Sequence, residues 1–296
     1  MNTRFCHSER SEESLESFWK KFEIPRFARN DITLVKPRIA LLSAASAAAG
    51  GLLAGSHIFW PVFGTFLLAC AAASLNQIQE RDLDARMERT RTRPLPAGTL
   101  SVRTASLVVV IFLTAGLAAL AFTGNLLTVV LGVGAVLAYN AFYTPLKRRT
   151  AWASVVGAIV GAFAPLIGWT GAGGETAGPG LVALIVFLVA WQVPHFWLLF
   201  LRREHEFAEA GLPVLSARFG AAGLQRVTLI WTLAVTSLGL ALPLFGVVEH
   251  IAALSALVVA ALWLAVQAWR STPRAFAAIN AFAVVLLLSI IIEKWN

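Results

Sequence analysis

Long apolar runs alternate with short polar segments along most of this sequence of 296 residues. Nine of the runs are long enough for a helix to cross the hydrocarbon core of a membrane, which takes about 20 residues. The pattern therefore predicts an all-α integral membrane bundle of nine transmembrane helices. The predicted spans are Ile39–Ile58, Phe59–Leu75, Ala105–Phe122, Leu126–Phe142, Ala153–Thr170, Leu181–Leu201, Val227–Val248, Ile251–Trp269 and Ala275–Ile292.

The composition supports a membrane protein. Hydrophobic residues make up 58% of the chain and charged residues only 14%, whereas soluble domains are roughly a quarter charged. The net charge of +8 could suggest nucleic acid. However, the basic residues occupy the short segments between apolar runs, so no nucleic-acid partner is expected. Cys6 and Cys70 lie in segments of different character, and no disulfide is predicted.

The polar segments also predict an orientation. Residues 1–35 form a polar extension without the apolar core of a signal peptide, and residues 36–296 form the transmembrane domain. With nine spans, 23 of the 24 Lys and Arg fall on the side of the amino terminus, and only Lys294 falls on the other. The positive-inside rule then predicts a multi-pass protein of the cell inner membrane, with the amino terminus and four basic loops in the cytoplasm. The carboxyl terminus is predicted on the opposite, outer side of that membrane.

The segment Asn76–Gly98 carries the strongest chemical signal. Its four acids and five arginines follow directly on an apolar run. Asn76, Glu80 and Asp84 are four residues apart, so on a continuing helix each lies roughly 40° around and about 6 Å along from the last. Two carboxylates and an amide on one face are suitable ligands for Mg²⁺, while Asp82 faces away. Carboxylates at a membrane edge are usually functional, although an ordinary charged loop stays an alternative.

A second polar segment, Tyr143–Thr150, lies between the fourth and fifth predicted spans. Its basic triplet at 147–149 falls on the same side of the membrane as the acidic segment. Such a triplet most often serves as a topology signal, and the neighbouring Tyr143 and Thr150 favour a functional role only slightly. Basic side chains in this place could also bind phosphate oxygens.

A third polar segment ends the sixth predicted span. Pro194 cannot donate a backbone hydrogen bond, so a bend is predicted there, beside Gln192 and His195. A buried histidine is more often structural than a ligand, but inside a membrane the two roles are about equally favoured. Among the acids of the following loop, Glu206 is the best candidate, because the Gly-x-Pro turn beginning at Gly211 can hold it toward the bundle.

All three segments lie at one mouth of the predicted bundle. Carboxylates and cations there suit a ligand with a diphosphate head and a hydrocarbon tail, with the head on metal and basic residues and the tail between helices. A multi-span secondary transporter is an alternative from another class. Transporters place their substrates near the bilayer midplane at broken helices, so the clustering at one face favours an enzyme.

These motifs, in this order, resemble those of the UbiA-type intramembrane prenyltransferases, and within them the branch that farnesylates heme. The acidic string is typical of the whole family, while the other strings point to the heme branch. The matching strings are Asn76 to Leu95, Tyr143 to Thr150, Gly157 to Trp169, Trp191 to Trp197 and Ala210 to Pro213. The family usually has aspartate at the position of Glu80, and an Asp-Tyr pair where this sequence has Glu206 and Phe207.

The resemblance implies the UbiA-type fold and a Mg²⁺-dependent transfer of the farnesyl group from farnesyl diphosphate to a vinyl group of heme b. Heme b is a substrate in this reaction, water supplies a hydroxyl, and diphosphate is released. The implied metal ligands are Asn76, Glu80, Asp84 and Glu206. The implied diphosphate ligands are Asn76, Arg89, Arg93, Lys147 and Arg148. The implied catalytic residues are Asp84, Glu80, Glu206 and Lys147. The implied heme contacts are His195, Gln192 and Tyr143.

The implied partners are farnesyl diphosphate, heme b and the lipid bilayer, with a heme A synthase or the assembly of a terminal oxidase as recipients of the product. Another enzyme of this type could instead prenylate an aromatic acid or a quinone precursor with the same metal site. The run Trp191–Trp197 disfavours that alternative.

Overall fold

The computed structural model describes residues 33–55, 57–270 and 272–295, so the predicted extension at 1–35 lies outside the described residues except for its last three. Within these ranges every regular element is helical, which confirms the all-α prediction. The helices are α1 Pro37–Leu52, α2 Phe59–Gln79, α3 Arg81–Asp84, α4 Val102–Ala121, α5 Leu126–Leu137, α6 Ala153–Val160, α7 Phe163–Gly171, α8 Pro179–Glu209, α9 Ser216–Ala241, α10 Ile251–Arg270 and α11 Thr272–Trp295. A π-helical turn, Ala138–Tyr143, and a helical turn, Thr144–Leu146, follow α5, and a 3-10 turn, Leu242–Phe245, follows α9.

Eight segments of the described chain are long and apolar enough to cross a membrane, and they match the second to ninth predicted spans. The first predicted span, 39–58, is shorter than predicted. Its helix, α1, has 16 residues and ends at Leu52. Half of its residues are buried, and it packs against α2, α7 and α11. The bundle therefore has close to the predicted number of spans, and α1 is held in it by packing.

The backbones of α1 and α7 are in direct contact where the two helices cross. A Cβ atom on Gly168 would lie 1.9 Å from the carbonyl oxygen of Ala47, and one on Gly50 would lie 2.2 Å from that of Pro165. Such small residues allow close approach in lipid, where van der Waals packing associates helices. This contact fixes the position of α1, and hence of Lys36 just before it.

The carboxyl-terminal half of the bundle, α8 to α11, has its own apolar core. Phe187 and Phe282 are fully buried, and their rings meet edge to face with centroids 5.9 Å apart. Helix α8 also packs on α6, and α11 also packs on α1. Both halves are therefore joined through α8 and α11, and the polar end of α8 faces the polar ends of the first half.

Helix α2 does not continue to Asp84 as the spacing predicted. It ends at Gln79, with Glu80 at φ −106° and ψ 6°, and Asp84 lies on the separate short helix α3. The backbone N–H of Asp84 nevertheless donates to the carbonyl oxygen of Glu80 at 2.7 Å. This single turn preserves the helical spacing locally, so both carboxylates stay on the same side.

The bend predicted at Pro194 is displaced. Within α8 the residue with non-helical dihedrals is Arg203, at φ −131° and ψ 23°. Neighbouring helices allow proline inside membrane helices because they stabilise the local backbone. The break at Arg203 precedes Phe207, which lines the cavity described below.

A π-helical turn at 138–143 ends the fourth span, and no sequence pattern predicted it. The buried Asn140 holds it in place: its amide donates to a backbone carbonyl of α2 at 3.0 Å and to Gln79 Oε1 at 3.2 Å. Gln79 Nε2 donates back to the Asn140 carbonyl at 3.1 Å. Single π-turns are frequent at functional sites. This one stacks Tyr139 on Tyr143, with ring centroids 5.6 Å apart.

Candidate active site

The polar ends of α2, α6 and α8, together with α3 and the π-helical turn, enclose a cavity of about 180 Å³, called here the acidic cavity. Two carboxylates and four basic side chains line it, so the basic groups outnumber the acidic ones by two. These charged residues are Glu80, Asp84, Lys36, Arg89, Arg93 and Lys147. The balance suits a ligand that carries several negative charges.

Asn76, Glu80 and Asp84 form one buried polar face of the acidic cavity, with exposures of 2%, 4% and 4%. By contrast, the side chain of Asp82 is 81% exposed and pairs with the adjacent Arg81. The structure therefore brings together the three side chains that the spacing placed on one face, and it turns Asp82 away. The Asn76 amide is held by Thr144, whose Oγ1 accepts from Nδ2 at 3.2 Å.

Each buried carboxylate is paired with a cation from another part of the chain. Lys147 Nζ lies 2.5 Å from Glu80 Oε1 and 2.6 Å from Oε2, and Arg93 Nη1 lies 2.7 Å from Asp84 Oδ2. Removing one member of such a buried pair leaves an uncompensated charge. The pairs therefore fix the carboxylates and hold both cations at the acidic cavity.

Lys36, the first residue of the predicted transmembrane domain, lines the acidic cavity although it was not among the predicted site residues. Its backbone is left-handed, with φ 48°, a conformation that is unusual for a side chain of this type and often found at functional sites. Its Nζ donates to Asn76 Oδ1 at 3.3 Å. Burial, followed by repulsion from Arg93 and Lys147, lowers the pKa of Lys36 to about 7. The one available signal was its place before Pro37, at the start of a span.

Glu206 is not among the residues that line the acidic cavity. Its Oε2 lies 3.8 Å from Arg89 Nε and 3.6 Å from Arg203 Nη1. Burial and then repulsion from Arg203 lower the pKa of Arg89 to about 10, so Arg89 stays charged at neutral pH. Within the described ranges, no three Asp, Glu, His or Cys side chains form a group that could hold a metal ion. The ligand role of Glu206 stays a prediction.

Arg148 does not line the acidic cavity either. Its Nη2 donates to the carbonyl oxygen of Gln79 at 2.7 Å. It thus ties the turn after the π-helix to the end of α2, directly beside Glu80. Contact of Arg148 with a diphosphate stays a prediction.

The three predicted heme contacts separate in the structure. Tyr143 lines the acidic cavity, whereas Gln192 packs against the break between α6 and α7. The ring of His195 packs between Trp191 and Phe276, with centroid distances of 4.8 and 5.2 Å. Only Tyr143 is therefore brought to the charged groups, and acceptor contact by the other two stays a prediction.

Aromatic side chains form the other wall of the acidic cavity. Phe207 meets Phe200 edge to face at 5.1 Å, and Phe196 lies 6.0 Å from Tyr143, measured between ring centroids. All four rings line the cavity, as does Tyr139. This wall offers an apolar surface and several π faces beside the charged groups.

A helical membrane bundle with paired carboxylates, excess cations and an aromatic wall at one end defines a membrane-embedded site for an anionic amphiphile. The model of the UbiA prenyltransferase family matches residues 39–291. Together with the relatives below, this shows that the chain belongs to the UbiA prenyltransferase family.

Curated relatives match over most of their length. The chain is 38% identical over 269 residues to the protoheme IX farnesyltransferase of Geobacter sulfurreducens, covering 90% of this chain and 99% of the relative. It is 36% identical over 222 residues to the enzyme of the same name from Nitratidesulfovibrio vulgaris, covering 74% of this chain and 77% of the relative.

Solved structures show the same fold at low identity. A UbiA homolog from Aeropyrum pernix K1 superposes with a TM-score of 0.72 at 18% identity, covering 87% of this chain and 98% of that one. A UbiA homolog from Archaeoglobus fulgidus, bound to GPP and Mg²⁺, gives a TM-score of 0.68 at 16% identity, covering 90% and 99%. The UbiA-type fold predicted from the sequence is confirmed.

Proposed function

We propose that this chain transfers the farnesyl group of farnesyl diphosphate to a vinyl group of heme b and releases diphosphate. The observation that carries the proposal is the acidic cavity, where two buried carboxylates and four basic side chains lie beside an aromatic wall. The acceptor is supported by the relatives, which carry the name protoheme IX farnesyltransferase. The one from Geobacter sulfurreducens matches over 99% of its length.

The side chains present fit a divalent metal. Asn76, Glu80 and Asp84 direct oxygen ligands at one cavity, and hard cations such as Mg²⁺ prefer oxygen and are often held together with substrate phosphates. The homolog from Archaeoglobus fulgidus was solved with Mg²⁺. When bound, Mg²⁺ would neutralise charge on the departing diphosphate. Glu206 is the predicted fourth ligand.

The cations of the cavity would bind the leaving group. Lys147 and Arg93 now donate to carboxylates, and in the complex they would donate to diphosphate oxygens instead, together with Arg89. Negative charge grows on the diphosphate as its bond to the farnesyl carbon breaks. Donors already fixed at that point stabilise the transition state more than the ground state.

The aromatic wall would protect the allylic cation left on the farnesyl group. The faces of Tyr139, Tyr143 and Phe196 offer π electron density and exclude water. The heme vinyl group then supplies the electron pair for the new carbon–carbon bond. Water adds to the resulting cation and loses a proton, which gives the hydroxyl group. No protein nucleophile is needed.

The test is transfer from radiolabelled farnesyl diphosphate in membranes that contain this protein. With heme b added, label should appear in a more apolar heme, and an equal amount of diphosphate should be released. The Asp84→Asn variant serves as the inactive control. Transfer of label to an aromatic acid or quinone precursor, with heme left unlabelled, would contradict the assigned acceptor. Uptake of label without transfer would favour a transporter.

A further inference from the structure

A second and larger cavity, of about 510 Å³, lies where the ends of α8 and α10 meet the starts of α9 and α11. Helix α8 contributes Leu198 and Leu201 to it, whereas it contributes Phe196, Leu199 and Phe200 to the acidic cavity. At 100° per residue these two sets point to opposite faces of α8. The larger cavity, called here the arginine cavity, is therefore separate from the candidate active site, although both lie at the same end of the bundle.

The charges of the arginine cavity are unbalanced. Arg226 of α9 and Arg270 of α10 line it, and no carboxylate is found among the described residues that line it. Neither guanidinium makes an ion pair or a side-chain hydrogen bond within the described part of the chain. In the acidic cavity, by contrast, Lys147 and Arg93 each hold a carboxylate. Two arginines from different helices thus converge on one space without an anion of their own.

The surroundings of the arginines are partly apolar and otherwise uncharged. Leu198, Leu229 and Trp269 line the arginine cavity together with one glutamine and three threonines, and Trp269 is 79% exposed. Tryptophan is enriched at the membrane–water interface. On other faces of the same two helices, Ile230 of α9 and Leu262 of α10 are exposed, as expected for surfaces that face lipid tails. A ligand here would meet cations at the membrane surface and apolar side chains below.

We propose that the arginine cavity binds the headgroup of an anionic phospholipid. Arg226 and Arg270 would bind its phosphate, since the guanidinium fork matches phosphate oxygens, and its acyl chains would lie along α9 and α10. Basic pockets between transmembrane helices bind anionic headgroups in this way. A zwitterionic lipid would bring an ammonium group to a space lined by two cations and no carboxylate, so the site should prefer a net negative headgroup.

The test measures binding of phosphatidylglycerol to the purified full chain in detergent, by native mass spectrometry and by the rise in unfolding temperature. The variant is Arg226→Gln/Arg270→Gln. The control is Arg218→Gln/Arg274→Gln. It removes the same charge from positions of α9 and α11 that are exposed, as Arg226 and Arg270 are, but that do not line the cavity. At about fivefold per basic residue, the variant should bind the lipid roughly thirtyfold more weakly, and the control should match the wild type.

Equal weakening in the control, or unchanged binding in the variant, would overturn the proposal. Both arginines would then serve only to set the orientation of the protein in the membrane. Phosphatidylcholine bound as tightly as phosphatidylglycerol would overturn it as well. Protection by inorganic phosphate alone would identify a free-phosphate site, and displacement of the lipid by heme b would identify an acceptor site. If the double variant does not fold, Arg270→Gln alone should still weaken binding about fivefold.

Discussion

Asp82 and Asp84 are two residues apart and differ in burial, partner and direction. Asp84 is buried and bonded to Arg93, while the Asp82 side chain is 81% exposed. Asp84→Asn keeps the shape but removes the charge, so turnover of farnesyl diphosphate at equal membrane expression should fall at least ten- to hundredfold, since a charge-assisted contact contributes about 1.5–3 kcal/mol. Asp82→Asn should stay within about twofold. Equal losses would mean that the assignment of the faces is wrong.

Lys147 can be compared with Arg149, a neighbour in the same basic triplet that is exposed. Lys147→Gln removes a cation from the acidic cavity, so kcat/KM for farnesyl diphosphate should fall roughly ten- to hundredfold, while KM for heme b stays unchanged. Arg149→Gln should change neither value. Steady-state kinetics with each substrate varied in turn provides the measurement. If both variants only disturb membrane insertion, the triplet is a topology signal.

At the scale of single elements, the crossing of α1 and α7 depends on glycine. Gly168→Ala would place a Cβ atom 1.9 Å from the Ala47 carbonyl oxygen, so the helices must separate. We expect the free energy of unfolding to fall by on the order of 1–3 kcal/mol. Gly223→Ala is the matched control, because its Cβ would meet Phe219 at an ordinary 3.5 Å. Denaturant unfolding in detergent distinguishes them, and equal stability would contradict the close crossing.

The π-turn offers a second comparison at this scale. The variant Asn140→Ala removes two hydrogen bonds that the side chain makes at the π-turn. The matched variant Asn125→Ala also removes two side-chain hydrogen bonds, but at the start of α5. Both should lower the free energy of unfolding by on the order of 1–3 kcal/mol. Only Asn140→Ala should also lower turnover, because the π-turn aligns Tyr139 and Tyr143 at the acidic cavity. Equal turnover in the two folded variants would make the π-turn purely structural.

For the whole molecule, the distribution of charge predicts the orientation. Both cavities lie at the end of the bundle that carries the basic loops, so reporter fusions after Arg91, Arg148 and Ser216 should report the cytoplasm. A fusion after Gly174, in the loop between α7 and α8, should report the outside. The positive-inside rule supplies the reason. A cytoplasmic signal at Gly174 would invert the molecule and place the site on the outer face.

The sequence by itself determined the class of fold, because a bilayer accepts few solutions. Every buried backbone group must be hydrogen-bonded within the chain, so long apolar runs become helices. Local spacing also determined that Asn76, Glu80 and Asp84 share a direction and that Asp82 does not, since one helical turn relates them even across the break after Gln79. The matching strings determined the family.

Only the tertiary structure decided which groups these faces meet. Lys36 reaches Asn76, and Lys147 reaches Glu80, through helices that are distant in the sequence. Likewise, His195 packs on Phe276 of α11 rather than at the acidic cavity. Helical periodicity relates residues within one element, but it carries no information about the neighbour that each face will contact. That choice depends on how the helices pack, through close crossings such as that of α1 with α7, and this packing also forms the arginine cavity.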